Sequence, residues 1–404
     1  METDVEPSSK SVLAKSSPSL AHSLHIALNE DCLATKAGVI SQKNSMIAKA
    51  VSLAASAAFF SLLSAAAVEA CMICVPFPKA TLADMLLECE SIVIVREYNE
   101  RPYIFRPIDV LKGDFEGDEI EAFVDSASRR KLKLHPEDVA VLVSNNPEGE
   151  WSYRSYANPE YQEFIRAILE QSTRWDGLEK SDRRVAFFTE RLTADHPLIR
   201  EQAYLEVGRA PYAVIKTIAG AVPRDQILEL LGNFRLVEWH SLFILMLGQS
   251  QLAGDHDLIR SKFETNARFG LRTNLSAWAT AYVEANPETG IDDIETIYFA
   301  RDDRTREEIE EAQKSLSVLG SEGGAIAAPR VAARRRRIVK SYGVLLEHHP
   351  IMAGKVAKDL TNWRSQALAD QLSGIMNSET VLDPESKLAV SYYLSMASRF
   401  PAIK

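Results

Sequence analysis

Asp195-His196-Pro197-Leu198-Ile199-Arg200-Glu201-Gln202-Ala203-Tyr204-Leu205 is the stretch that decides the fold. Proline is well placed as a first helical residue, because its missing N–H would have no intrahelical partner there. From Pro197 onward, Ile199, Ala203 and Val207 recur every four residues, the spacing of one inward helical stripe. Immediately upstream, residues 182–192 place Val185, Phe188 and Leu192 on one face.

Downstream the same periodicity predicts helices over 213–221, 225–231, 237–247, 255–263, 275–285, 291–299, 306–319, 330–347, 351–372 and 386–396. Pro, Gly and Asn separate them, and strand patterns are nearly absent. Short amphipathic helices in series, joined by short loops, imply an α-solenoid over 181–404. A helical bundle is the competing architecture.

Upstream the pattern changes. Leu82, Met85 and Leu86 share a face of a short helix over 81–88. Strand-like segments follow at 91–97, 103–111, 119–124, 139–144 and 151–156, with a turn signal at Lys112-Gly113-Asp114. Asn158-Pro159-Glu160 then caps a helix that runs to Gln171. A short helix, five strands and a closing helix predict a small OB-like β-barrel over 71–172. The expected fold class is therefore α+β and multidomain, a small barrel followed by an all-α solenoid.

Residues 46–70 read as a signal peptide. Met46-Ile47-Ala48-Lys49 forms a positive start, 50–67 is free of charge, and Val68-Glu69-Ala70 supplies small residues before a cut at Cys71. Residues 1–45 read as disordered or as sequence upstream of the true start codon. Two alternatives stand beside cleavage: a membrane anchor formed by residues 50–67, or lipid on Cys71. After the cut come Cys71, Cys74 and Cys89, a possible disulfide or lipid site. Zinc would need further ligands at sensible spacing, and none follows.

Two family resemblances emerge from these residues. Cys71-Met72-Ile73-Cys74-Val75-Pro76-Phe77-Pro78, then Cys89-Glu90-Ser91-Ile92-Val93-Ile94-Val95-Arg96, resembles the opening of netrin-like modules, the family that includes tissue inhibitors of metalloproteinases. Val110-Leu111-Lys112-Gly113 is similar to that family's second-strand region. The resemblance implies an OB-type barrel and, in the inhibitors, a terminal cysteine that chelates a protease zinc, a role that would fall on Cys71. The chain departs from the family by placing two residues between its first cysteines and by lacking the downstream partner cysteines. In the second half, Asp195, Ile199, Arg200 and Ala203 resemble the turn and second helix of a HEAT repeat.

The net charge of −10 argues against a nucleic-acid partner. No nucleophile elbow or zinc-protease helix occurs, so no catalytic, cofactor-binding or metal residue is assigned and no cofactor is expected. The run Arg334-Arg335-Arg336-Arg337 points all round a helix and is expected to pair with neighbouring acids such as Glu307, Glu308, Glu310 and Glu311. His348-His349 reads as a helix C-terminus, Gly320 to Gly324 as a flexible connector, and Asp292-Asp293 and Asp302-Asp303 as loop or cap acids. Asn274-Leu275-Ser276 fits a glycosylation acceptor but falls in a helix. The expected function is an exported, non-enzymatic interaction or scaffold protein, periplasmic or extracellular. It would bind a protein or cell-envelope macromolecule through a helical-repeat surface. The alternative is a protease inhibitor or thiol-dependent enzyme acting through the barrel and Cys71 or Cys74.

Overall fold

A computed structural model describes residues 73, 80–98, 101–146, 149–175, 182–324 and 327–400, all within one compact unit, Ala65–Lys404. Segments 1–45 and 46–70, expected to be a disordered or upstream stretch and a signal peptide, lie outside the described residues, as do Cys71 and Cys74.

The chain enters through helix α1 (Leu82–Glu88), opened by a capping box in which Thr81 and Asp84 satisfy each other's backbone N–H groups. Strands β1 (Ser91–Tyr98), β2 (Arg101–Lys112) and β3 (Ile120–Glu121) follow, then helix α2 (Ser126–Leu134), then β4 (Val139–Ser144) and β5 (Ser152–Ala157). The sheet is antiparallel throughout, in the order β3-β2-β1-β4-β5.

The sheet is not a closed barrel, contrary to the expectation from sequence. Closure would require β3 to pair with β5, but β3 is two residues long and pairs only Ile104 and Phe105. Residues 120–124 still alternate inward and outward, with Ile120, Ala122 and Val124 buried. Side chains rather than backbone bonds cover the open side. Leu132 of α2 packs there with Phe115, Trp151 and Tyr153, and the Phe115 and Trp151 rings meet edge to face at 5.4 Å.

Both faces of the central strands are buried, which explains their unbroken apolar runs. Val93, Val95, Ala140 and Leu142 point into the small core under α2. Ile92, Ile94, Val139, Val141 and Val143 point the other way, into a single cluster that continues through the helical region to Ala397.

That region comprises α3 (Pro159–Ser172), α4 (Asp182–Thr189), α5 (Pro197–Gly208), α6 (Tyr212–Thr217), α7 (Arg224–Gly232), α8 (His240–Leu247), α9 (Ala253–Phe269), α10 (Leu275–Ala285), α11 (Gly290–Ile294), α12 (Arg306–Ser321), α13 (Pro329–His348), α14 (Ala353–Asn362), α15 (Ala369–Met376) and α16 (Pro384–Ala397). In the deciding stretch, Ile199, Ala203 and Val207 are buried. Arg200 turns back so that its Nη1 donates to Ala194 O at 2.7 Å.

Helix α10 packs on α8, α9 and α12. Ser241 Oγ at the start of α8 donates to Asn274 Oδ1 at the start of α10 (2.9 Å). Arg304 Nη1, just before α12, donates to Ala267 O in the last turn of α9 (2.7 Å). The N-termini of α8, α10 and α12 therefore share one end with the C-terminus of α9. Serial helices stacked in this way are compatible with a solenoid. The single helix expected over 351–372 is broken between α14 and α15, where Arg364 and Leu368 are left-handed (φ 50° and 62°), and the one expected over 213–221 ends at Thr217, before a 3-10 turn over Ala219–Ala221.

Candidate functional site

Cys89 is the described member of the three cysteines singled out from sequence. It closes α1, its N–H donating to Met85 O at 3.0 Å, and it is buried with a free thiol. Burial pushes that thiol above its ordinary value, against the opposing charges of Arg154 and Lys112. Here Cys89 acts as a small apolar packing residue.

The charged clusters are structural ties. Arg184, 1% exposed, donates to Glu206 Oε2 at 2.9 Å and to Asp84 Oδ1 at 2.6 Å. Arg209 also pairs with Asp84, and the Thr81 hydroxyl bonds Glu206. Burial favours the neutral acid at Asp84, but the Thr81 N–H and the two guanidinium groups outweigh it and hold the carboxyl below its ordinary value. A second cluster joins Lys216 and Arg334 to Glu284 and Glu322, with four N–O separations of 2.8–3.1 Å. A third sets Asp359 against Gln313, Ser317 and Tyr342 at 2.6–2.7 Å.

Arg334, Arg335 and Arg337 of the arginine run are spent in the same way, though with other partners than the adjacent acids, while Arg336 is exposed. Arg334 joins the Glu284–Glu322 cluster. Arg335 is buried and donates to Gly320 O and Gly324 O at 2.8 Å each, satisfying carbonyls at the end of α12. Arg337 pairs with Asp292 and Glu295. Gly320 is no flexible connector. It lies inside α12, and an added Cβ would come within 2.6 Å of the Trp363 ring. His348 ends α13 and meets Asp302 at 3.0 Å. Asp293 accepts from the Tyr282 hydroxyl at 2.8 Å. In the Asn274-Leu275-Ser276 motif Ser276 is buried and Asn274 already accepts from Ser241. Among the described residues no group of three or more His, Cys, Asp or Glu could hold a metal ion, and no helix is long and apolar enough to cross a membrane.

Val381, Leu388 and Tyr392 are exposed around α16, but apolar and cationic side chains are exposed together at the end where α8, α9 and α10 meet. Phe234 is 79% exposed and Phe269 66%, with Val237 and Leu271 also exposed. Arg235, Arg268 and Arg272 are exposed beside them. Short turns hold these residues in place. His240 Nε2 lies 3.0 Å from Asn233 O, and Gly270, at φ 63°, ends α9 in the left-handed conformation that glycine takes freely. Aromatic residues and arginine are the types enriched at protein interfaces, while exposed Phe on an ordinary surface loop is disfavoured. Sequence reasoning missed this surface, because its members lie in two stretches, 234–237 and 268–272, and it is the packing of α8 on α10 that relates them.

No family model, no curated protein and no solved structure matches this chain.

Proposed function

We propose that this chain is an exported, non-enzymatic interaction protein that captures another macromolecule through its helical array. The carrying observation is the cluster of Phe234, Val237, Phe269 and Leu271 interleaved with Arg235, Arg268 and Arg272 at one end of that array. The other charged clusters described above are committed to internal ion pairs, whereas these arginines face solvent. The partner expected on such a surface is a protein whose apolar pocket is rimmed by acids.

The finer fold assignments belong to the same proposal. We read the helices as HEAT-like, supported by the Asp195–Ala203 unit. We read the sheet as an opened OB-type module, because the order β4-β1-β2-β3 is that of a Greek key and OB folds are partly open Greek-key barrels. The leader supports export, and protein from its native host is expected to give an intact mass that begins at Cys71. A mass that retains residues 46–70 would overturn cleavage.

The function is tested with a photo-crosslinking side chain at position 269 in the native host. A discrete adduct is expected there, and none with the crosslinker at Lys340, an exposed position on α13. Hot-spot residues typically contribute 2 kcal/mol or more, so Phe234→Asp with Arg268→Glu should cut capture by about 10-fold or more. Thermal stability should stay unchanged, since both residues are exposed. Cys71→Ser and Cys74→Ser should leave capture intact. Unchanged capture in the Phe234/Arg268 variant, or loss on Cys71→Ser alone, would defeat the proposal.

A further inference from the structure

A second surface lies on the sheet, apart from the helical end. Its origin is an irregularity in β2. The pairs Tyr98↔Arg101 and Glu97↔Phe105 leave Pro102, Tyr103 and Ile104 without an opposite number in β1. Such bulges re-aim side chains. Tyr103 sits inside this one at φ 67°, a left-handed conformation that a bulky residue rarely adopts. Strain of this kind persists only where the surroundings enforce it. Here the Tyr103 N–H donates to Glu97 Oε1 at 3.2 Å, and its carbonyl accepts from the Ala122 N–H at 3.0 Å.

The strained backbone turns the Tyr103 ring outward. It stacks on Phe123, centroids 5.8 Å apart and planes 15° from parallel. Tyr103 is 37% exposed and Phe123 75%, so the pair forms an aromatic platform at the surface. Arg129, the fourth residue of α2, lies with its guanidinium 4.4 Å from the Tyr103 ring centre. Its Nε donates to Glu97 Oε1 at 2.6 Å. The Glu97 carboxylate is thus at once the anchor of the strained peptide and the anchor of the arginine. Its side chain is only 8% exposed, and Oε2 is buried without a hydrogen bond.

Helix α2 extends the site as a row of charge. Its sequence, Ser-Ala-Ser-Arg-Arg-Lys-Leu-Lys-Leu, holds four cations and no acid. Arg129 and Lys133 lie four residues apart on one face, and Arg130 and Lys133 three apart. Arg130 and Lys133 are exposed and form no ion pair among the described residues. On a chain of net charge −10 this is a local reversal of sign, and field lines from it attract negative groups.

We propose that the Tyr103–Phe123 platform, with Arg129, Arg130 and Lys133, docks an acidic peptide segment carrying one apolar anchor. The anchor lies on the stacked rings, and the flanking carboxylates follow α2 toward Lys133. A short acidic segment with an apolar anchor fits better than a polyphosphate chain, because the cations are confined to α2, while Glu121 and Asp125 flank Phe123 and leave the stacked rings to an uncharged side chain. This site stands or falls independently of the helical surface above.

The test uses the full mature chain and a fluorescein-labelled heptapeptide of Asp and Glu around one central Phe. Anisotropy should show saturable binding that weakens as salt rises from 0.05 to 0.5 M, because the screening length shortens across that range. The same peptide with Gly in place of Phe should bind about 10-fold more weakly. Phe123→Ala should weaken binding about 10-fold, and Arg130→Glu with Lys133→Glu should abolish it, while Phe269→Ala changes nothing. Tyr103→Gly should lose binding with its thermal midpoint held or raised, since glycine takes φ 67° without strain. Failure of the peptide to bind, binding insensitive to Phe123 and α2 substitutions, or tighter binding of phosphatidylserine vesicles or a single-stranded oligonucleotide at the same residues would each overturn the proposal.

Discussion

Arg184→Met is expected to lower folding stability by about 3–5 kcal/mol, the cost of leaving buried carboxylates without their cation. Met approximates the length and bulk of the arginine stem, so little of the loss would come from packing. What disappears is the shared partner of Asp84 and Glu206, held at 2.6–2.9 Å on a side chain 1% exposed. Arg184→Lys should rescue little, because an ammonium cannot fork toward two carboxylates as a guanidinium does. Replacing Asp84, Arg184 and Glu206 together with apolar residues of similar size should recover most of the stability. Urea denaturation measures each step, and a loss below about 1 kcal/mol for Arg184→Met would show the cluster to be energetically neutral.

The position of the cluster says what it does. Asp84 and Thr81 open α1, Arg184 lies in α4, and Glu206 and Arg209 lie at the end of α5. Leu82 N–H also donates to Gln202 Oε1 at 3.2 Å. The tie therefore clamps the first described helix to the helical array, and hydrogen exchange over residues 82–88 should accelerate first in Arg184→Met. The pH dependence follows from Asp84, whose folded value is depressed. Its stabilisation is complete above the ordinary aspartate value of 3.8 and is lost as pH falls through the lower folded value. Acid should release α1 in the wild type, and Asp84→Asn should flatten that dependence.

What the sequence could reveal was whatever is encoded locally. Ile92–Val95 and Val139–Val143 read as strands because both faces are buried. Helices such as α5, α9 and α12 read as helices because apolar residues recur at helical spacing, whereas α8 and α10 are buried on every side over 241–247 and 275–283. Helix α2 was invisible for the opposite reason: Leu132 is the residue it packs against the small core, so no stripe exists. An Asp125 cap, accepting from the Ala127 and Ser128 N–H groups at 2.9 and 3.0 Å, starts it instead. Barrel closure was illegible because it depends on how β3 and β5 find each other across the chain. The partners of Arg334 lie 50 and 12 residues away, at Glu284 and Glu322, beyond any argument from helical neighbours. Both exposed surfaces share this property. Phe234 and Phe269, like Tyr103 and Phe123, look ordinary in sequence and become a surface only when turns bring them together.

Gly354→Val should prove nearly as damaging, and its damage should be local. Gly354 lies in the first turn of α14, where a Cβ would come within 2.6 Å of the Ser386 Cα in α16. A backbone atom cannot rotate aside, so the two helices must part. Ser386 is also part of the α16 cap, its N–H and hydroxyl donating to Asp383 at 2.9 and 2.8 Å. Displacing it breaks the cap while exposing Val390 and Tyr393, both fully buried. Overpacking of this kind costs about 1–3 kcal/mol, and the rigid contact places this case near the top. Helix propensity offsets little, since valine is only modestly better than glycine in a helix. In a stack where each unit touches only its neighbours, the terminal helix can detach while the middle stays folded. Hydrogen exchange should therefore show residues 384–397 losing protection in Gly354→Val while 240–321 retain theirs. Uniform loss of protection from α8 to α16 would mean that the helices fold as one cooperative bundle, and the solenoid reading would have to be abandoned.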